Sequence, residues 1–255
     1  MISTKENKLD VRIYSTRKEM GVAAAEKFAK EVNMLLNSKP EINVVFAAAP
    51  SQNEFLQALR DENLDWQRIN AFHMDEYIGL AADAPQGFGN FLKERLFDQF
   101  NFKSVNYLNG NADDIEHECA RYTSLLAKYP VDIVCMGIGE NGHLAFNDPP
   151  VADFEDPKMV KVVVLDEVCR QQQVNDGCFA SLSEVPQQAL TLTIPALLSA
   201  SYLNCVVPGP TKANAVAHTL NSEINTKNPA TILRRHPKVV LFLDQDSSKL
   251  IQSNS

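Results

Sequence analysis

Short continuous runs of Val, Ile, Leu and Phe recur along the chain, separated by segments with helical periodicity. The runs are Val11 to Tyr14, Ile42 to Ala48, Ile69 to Met74, Val131 to Met136, Val160 to Leu165, Leu190 to Thr193, Tyr202 to Val207 and Val239 to Leu243. A strand that is apolar almost throughout, and not only at alternate positions, must be covered on both faces. Thr16 to about Leu36, a segment opening at Asn53 to Leu59, Phe88 to Phe100, Asp113 to Leu126 and Thr211 to Leu220 read as helices. Thr16 and Glu19 have the spacing of a capping box, and Pro195 opens a further short helix at its first turn. This alternation predicts a three-layer α/β/α, Rossmann-like fold with a mostly parallel sheet. At 255 residues, 45% hydrophobic and 22% charged, the chain suits one such domain spanning 1–255. Asp148 to Pro157 reads as irregular, and the Ser/Asn tail after about residue 246 as frayed.

The formal net charge of −8 argues against a nucleic-acid partner, because phosphate backbones select basic surfaces. A small anionic substrate needs only a local cluster of donors and stays open. The five cysteines, Cys119, Cys135, Cys169, Cys178 and Cys205, are odd in number and form no C-x-x-C pair. That pattern fits a reduced, cytoplasmic protein with buried thiols and no zinc site. Met1 to Asp10 is polar, without the apolar run of a signal peptide. No stretch reaches the roughly 18 apolar residues of a membrane span. Nothing sets the oligomeric state, and a homo-oligomer is compatible with the sequence.

Sheets of this kind bind ligands beyond the carboxyl ends of their strands, and four unusual segments fall there. After the Val131 run, Met136 to Pro149 (MGIGENGHLAFNDP) gathers glycines, His143 and the carboxylates Glu140 and Asp148 in one loop. Glycines such as Gly139 and Gly142 let the backbone turn tightly against a ligand, and a histidine moves protons near neutral pH. A plain tight turn with a surface histidine fits the same residues. After the Ile69 run, Asp75 and Glu76 are adjacent carboxylates that could raise one another's pKa and make a base, or simply form a solvated strand end. His73, within that run, reads as structural. Ser51, in Ala47 to Asn53, sits at a helix start where it could meet a phosphate or merely cap the helix. Lys212, in Val207 to Lys212, opposes the macrodipole of the helix it opens, which favours an anion-binding role.

These four segments, in this order, resemble those of the glucosamine-6-phosphate deaminase family, and so do Tyr107 to Ala112 and Ala189 to Thr193. The resemblance runs from about Ile42 to Leu243. The related phosphogluconolactonases continue their loop as Gly-His-Thr-Ala-Ser, whereas this chain has Gly142-His143-Leu144-Ala145-Phe146-Asn147. The resemblance implies deamination and aldose–ketose isomerisation of a hexosamine 6-phosphate, with no metal or redox cofactor. It implies that Asp75 is the C2 proton base, that His143 helps open the sugar ring, that Lys212 binds phosphate and that Ser51 lies in the phosphate loop. Galactosamine 6-phosphate as substrate, a lactonase activity and a non-catalytic sugar-phosphate sensor are the rival readings.

The chain also departs from the family's pattern. Asn141 stands where an Asp usually precedes the histidine by two residues, so the charge that favours imidazolium is missing there. Asp148 replaces a Glu, and Ala47 to Ala49 replace the usual Thr-Gly-Gly. Gly177-Cys178-Phe179 takes the place of an Arg-Phe-Phe segment that supplies a phosphate-binding arginine, with Arg170 as the candidate substitute.

Overall fold

A computed structural model of the chain describes residues 9–252. Most of the polar start, and the last three residues, lie outside them. In chain order the elements are β1 Asp10–Tyr14, α1 Arg17–Leu36, β2 Ile42–Phe46, α2 Asn53–Ala58, β3 Ile69–His73, β4 Asp75–Tyr77, α3 Phe88–Arg95, β5 Ser104–Asn106, α4 Ile115–Lys128 and β6 Ile133–Met136. They continue with β7 Val160–Val164, α5 Glu167–Asn175, β8 Gln188–Leu192, α6 Ile194–Leu198, β9 Tyr202–Val207, α7 Ala213–Asn221, β10 Val239–Asp244 and α8 Gln245–Gln252.

Seven strands form one sheet in the order β1-β10-β9-β6-β2-β3-β5, every pair parallel. Alternate residues feed two hydrophobic layers. Val44, Phe46, Ile133, Cys135, Val206 and Phe242 face one layer with Phe28 of α1 and Phe55 of α2. Val45, Val134, Met136, Cys205 and Leu241 face the other with Tyr122 of α4, Leu197 of α6 and Val216 of α7. These are the three layers that the unbroken apolar runs predict. Among the described residues, no helix is long and apolar enough to cross a membrane.

Besides adding the short strands β4 and β5, the structure differs from the sequence reading in three places. The Val160 and Leu190 runs do not join the main sheet. With β4 they form a separate sheet, β4-β8-β7, antiparallel throughout. Val160 and Val163 of β7 are buried, and Val164, at the end of the strand, is exposed. The tail expected to fray after about residue 246 is helical to Gln252. Asp244 caps it, accepting from the Ser247 backbone N–H (2.8 Å) while Ser247 Oγ accepts from the Asp244 N–H (3.2 Å). The third difference is α5, which was not anticipated because its exposed side is a run of polar residues.

The direction in which successive strands are added to the main sheet reverses between β2 and β6. From β2 the chain moves outward to β3, and from β6 it moves the other way to β9. The loops leaving these two strands therefore diverge and open a crevice at the carboxyl edge.

Candidate active site

The crevice is lined by Ala47, Ala48, Ala49 and Ser51 after β2, Asp75 after β3, Gly137, Gly139 and His143 after β6, and Lys212 after β9. Four of the residues singled out in the sequence, Asp75, His143, Ser51 and Lys212, thus share one cavity. Phe88 and Phe146 also line it. Their rings stack 5.5 Å apart and pack with Tyr77, giving the cavity an apolar wall.

Asp75 opens β4, and alternation along this short strand sends it and Glu76 to opposite faces. Asp75 is 8% exposed and lines the cavity, and its carboxyl has no hydrogen-bond partner among the described residues. Burial, with a smaller contribution from Glu76, holds its pKa well above the ordinary aspartate value. Backbone hydrogen bonds fix its position. The buried His73 imidazole donates from Nδ1 to the Asp75 carbonyl (2.9 Å) and accepts at Nε2 from the Leu108 N–H (2.9 Å). Burial lowers the His73 pKa to about 4, so the ring is a neutral strut.

Glu76 is not part of the cavity wall. Its carboxylate accepts from the N–H groups of Tyr77 (2.9 Å), Phe88 (3.0 Å) and Gly89 (2.8 Å), and so holds the start of α3. Arg170, the candidate phosphate ligand, is also elsewhere. Its guanidinium donates to the carbonyls of Leu182 (2.6 Å) and Val185 (2.9 Å) and braces the turn before β8. Both are corrections to the sequence reading, and both have the same cause: neighbouring residues on a strand or helix point to different sides.

The loop after β6 carries a hydrogen-bonded trio. His143 Nδ1 lies 2.9 Å from Asn141 Oδ1 and 2.9 Å from Asp148 Oδ1, and Asn141 Nδ2 donates to Asp148 Oδ1 (2.8 Å). Two acceptor oxygens facing Nδ1 require that it carry the proton, which leaves Nε2 free to exchange one. The charge missing at Asn141 is therefore present one step away, on Asp148. Burial alone would raise the Asp148 pKa, but His143, Asn141 and the Cys169 thiol together bring it below the ordinary value. Gly139 is needed because a Cβ there would lie 2.2 Å from the His143 ring. Gly142 does not line the cavity. At φ +84° it makes the turn that returns His143 to the crevice.

Among the described residues, His143, Asp148 and Cys169 bring potential metal-ligand atoms within 4.8 Å of one another. The same atoms are already engaged with one another as a hydrogen-bond network, and burial and Asp148 keep the Cys169 thiol protonated.

Lys212 is 6% exposed and its ammonium has no hydrogen bond or ion pair among the described residues. Burial lowers its pKa, opposed by the charges of Asp176 and Glu140. The Ser51 hydroxyl accepts from Gln52 Nε2 (3.1 Å), which also donates to the Val206 carbonyl (3.1 Å).

The family model described as glucosamine-6-phosphate isomerases/6-phosphogluconolactonase matches residues 15–241. The chain belongs to this family. Relatives in the glucosamine-6-phosphate isomerase/6-phosphogluconolactonase family include a glucosamine-6-phosphate deaminase of Bacillus cereus, 34% identical over 242 residues, or 95% of this chain and 89% of the relative. A second, from Bacillus cytotoxicus, is 35% identical over 89% of this chain and 84% of its own length. A solved family structure, a monomeric glucosamine-6-phosphate deaminase, superposes with a TM-score of 0.85 at 31% identity, covering 95% of this chain and 100% of that one. The 6-phosphogluconolactonase of Thermotoga maritima shares the fold, with a TM-score of 0.74 at 22% identity over 93% of this chain and 100% of its own.

Four polar residues that line this family member's cavity escaped the sequence reading: Gln52, Gln172, Gln173 and Asp176. The last three come from α5 and the residue after it. With Cys169 they follow the i, i+3, i+4, i+7 spacing of one helical face, and Asp166 caps the helix by accepting from the Cys169 N–H (2.7 Å). That spacing and the Asp166 cap were the available signal. A polar stripe goes unnoticed when only apolar stripes are sought.

Proposed function

We propose that the protein converts glucosamine 6-phosphate to fructose 6-phosphate and ammonia. The observation that carries this reading is the convergence, in a chain of this family, of an unpartnered buried carboxylate (Asp75), an oriented imidazole (His143) and an unpaired ammonium (Lys212) on one crevice. His143 Nε2 exchanges the proton needed to open the sugar ring, with the Asn141 and Asp148 oxygens fixing the opposite ring nitrogen. Asp75 then takes the C2 proton of the open aldose while the C1 oxygen takes up a proton, which gives the enolamine. Return of the proton to C1 converts the enolamine to the C2 imine, water adds at C2, and ammonia leaves. Lys212 and the Ser51 hydroxyl hold the phosphate end. A desolvated carboxylate is a stronger base than one in water, which suits it to a carbon acid.

The test measures ammonia and ketose phosphate released from glucosamine 6-phosphate by the purified protein, together with solvent deuterium uptake. Asp75→Asn is expected to lower turnover by at least about 10²–10⁴-fold, because an amide cannot accept the proton. Deuterium exchange at wild-type rate in that variant would remove Asp75 from the mechanism. Galactosamine 6-phosphate, assayed alongside, reads the C4 preference.

A further inference from the structure

Helix α5 and the residue after it bring Gln172, Gln173 and Asp176 to the crevice that Lys212 also lines, the end proposed above to hold the phosphate. Gln172 is engaged, its Oε1 accepting from the Glu140 N–H (2.8 Å) and its Nε2 lying 3.4 Å from Asp176 Oδ2. Gln173 is not. It is 7% exposed, yet its side-chain amide has no hydrogen-bond partner among the described residues. Its amide atoms are not sealed from solvent, so a ligand in the crevice can bond to them without displacing a protein partner. Gln173 lies beside the same Ala48–Ala49 backbone that leads to Ser51.

The charge balance at this end is unusual for a dianion site. Lys212 is the one Lys or Arg among the residues lining the crevice. The carboxylates of Asp176 and Glu140 both act on its ammonium. Among the described residues lining the crevice, no guanidinium fork is present to pair with phosphate oxygens. An amide, unlike a cation, both donates and accepts, so it serves a hydroxyl as readily as a phosphate oxygen.

Resting on the reaction proposed above, we infer that Gln173 is a specificity-determining residue. Its amide meets the C6 end of the sugar, and the site takes a hexosamine whose C6 hydroxyl is free as well as one that is phosphorylated. Glucosamine is then a substrate whose kcat/KM lies within about 100-fold of that for glucosamine 6-phosphate, a gap matching the one charge-assisted contact that Lys212 supplies.

Ammonia release from glucosamine and from glucosamine 6-phosphate is compared in the wild-type protein, Gln173→Arg and Gln173→Glu. Gln173→Arg is expected to widen the preference for the phosphorylated sugar by roughly 10–100-fold, through a lower KM with kcat little changed. Gln173→Glu is expected to narrow or reverse the preference by a similar factor. Competition by inorganic phosphate, measured by calorimetry, should strengthen in the Arg variant and vanish in the Glu variant, which reads the contact without requiring turnover. Turnover of the phosphorylated sugar with glucosamine more than about 10⁴-fold poorer, or a preference that neither variant moves, would overturn the inference and leave the proposed reaction standing. Failure of both sugars to release ammonia would overturn the proposed reaction itself.

Discussion

Two buried aspartates at the crevice are pushed in opposite directions. Asp148 is held below its ordinary pKa by His143, Asn141 and Cys169, against the effect of its burial. Asp75 is held well above its ordinary value by burial and by Glu76. Such a split fits the two roles proposed above: a permanent charge that orients the imidazole, and a base whose ionised form is strained. The strain has a stability consequence. A carboxyl whose folded pKa exceeds its unfolded value contributes stability below the unfolded value, near 3.8, and that contribution is lost as pH rises through the raised folded value. Asp75→Asn removes the titration. The variant should therefore melt higher than wild type at pH 7–9, by about 2–4 °C per kcal/mol of relieved strain, and the difference should close on acidification towards pH 4. Melting curves across this range check it. A variant less stable than wild type at pH 8 would mean that Asp75 is not strained.

Much of this was legible in the sequence, and the exceptions share a physical origin. Strands β2, β3, β6, β9 and β10 were read correctly because their runs are apolar and long enough to need cover on both faces. The Thr16 cap was also readable, since Thr16 Oγ1 accepts from the Glu19 N–H (3.1 Å). Strand β4 was missed because three residues, two of them acidic, carry no apolar pattern. Its pairing with β8 is a long-range event that local periodicity does not encode. The same strand explains why Glu76 was assigned to the site: adjacency in sequence was taken for adjacency in space. Glu76 instead organises α3, a helix whose N-cap, Gly87, offers no side chain. Glu76→Ala should leave the Phe88 and Gly89 N–H groups without their acceptor, a loss of roughly 1.5–3 kcal/mol. Glu76→Gln keeps an acceptor and should lose less. Urea midpoints order the three proteins. Equal midpoints for the alanine variant and wild type would show that α3 does not depend on this carboxylate.

The hydrophobic layer that α1 and α2 share is coupled to the crevice through the packing of α1 on α2. Gly21 of α1 lies so close to α2 that a Cβ would stand 2.6 Å from the Glu54 carbonyl carbon and 2.8 Å from its oxygen. Arg17 holds the same contact by donating to both Glu54 carboxylate oxygens, at 2.9 and 3.0 Å. Helix α2 follows directly on Ser51 and Gln52, so its position sets that of the loop proposed to face the phosphate. Gly21→Ala sets two effects against each other. Helix propensity favours alanine by about 1 kcal/mol. Overpacking against backbone, which cannot rotate out of the way as a side chain can, costs about 1–3 kcal/mol. The collision should prevail and push α2 outward. The expected result is a lower urea midpoint together with a raised KM for glucosamine 6-phosphate. Because Asp75 and His143 stand on β4 and the loop after β6, kcat should change less than KM. A variant more stable than wild type with an unaltered KM would show that the helix pair absorbs a methyl group without moving the loop.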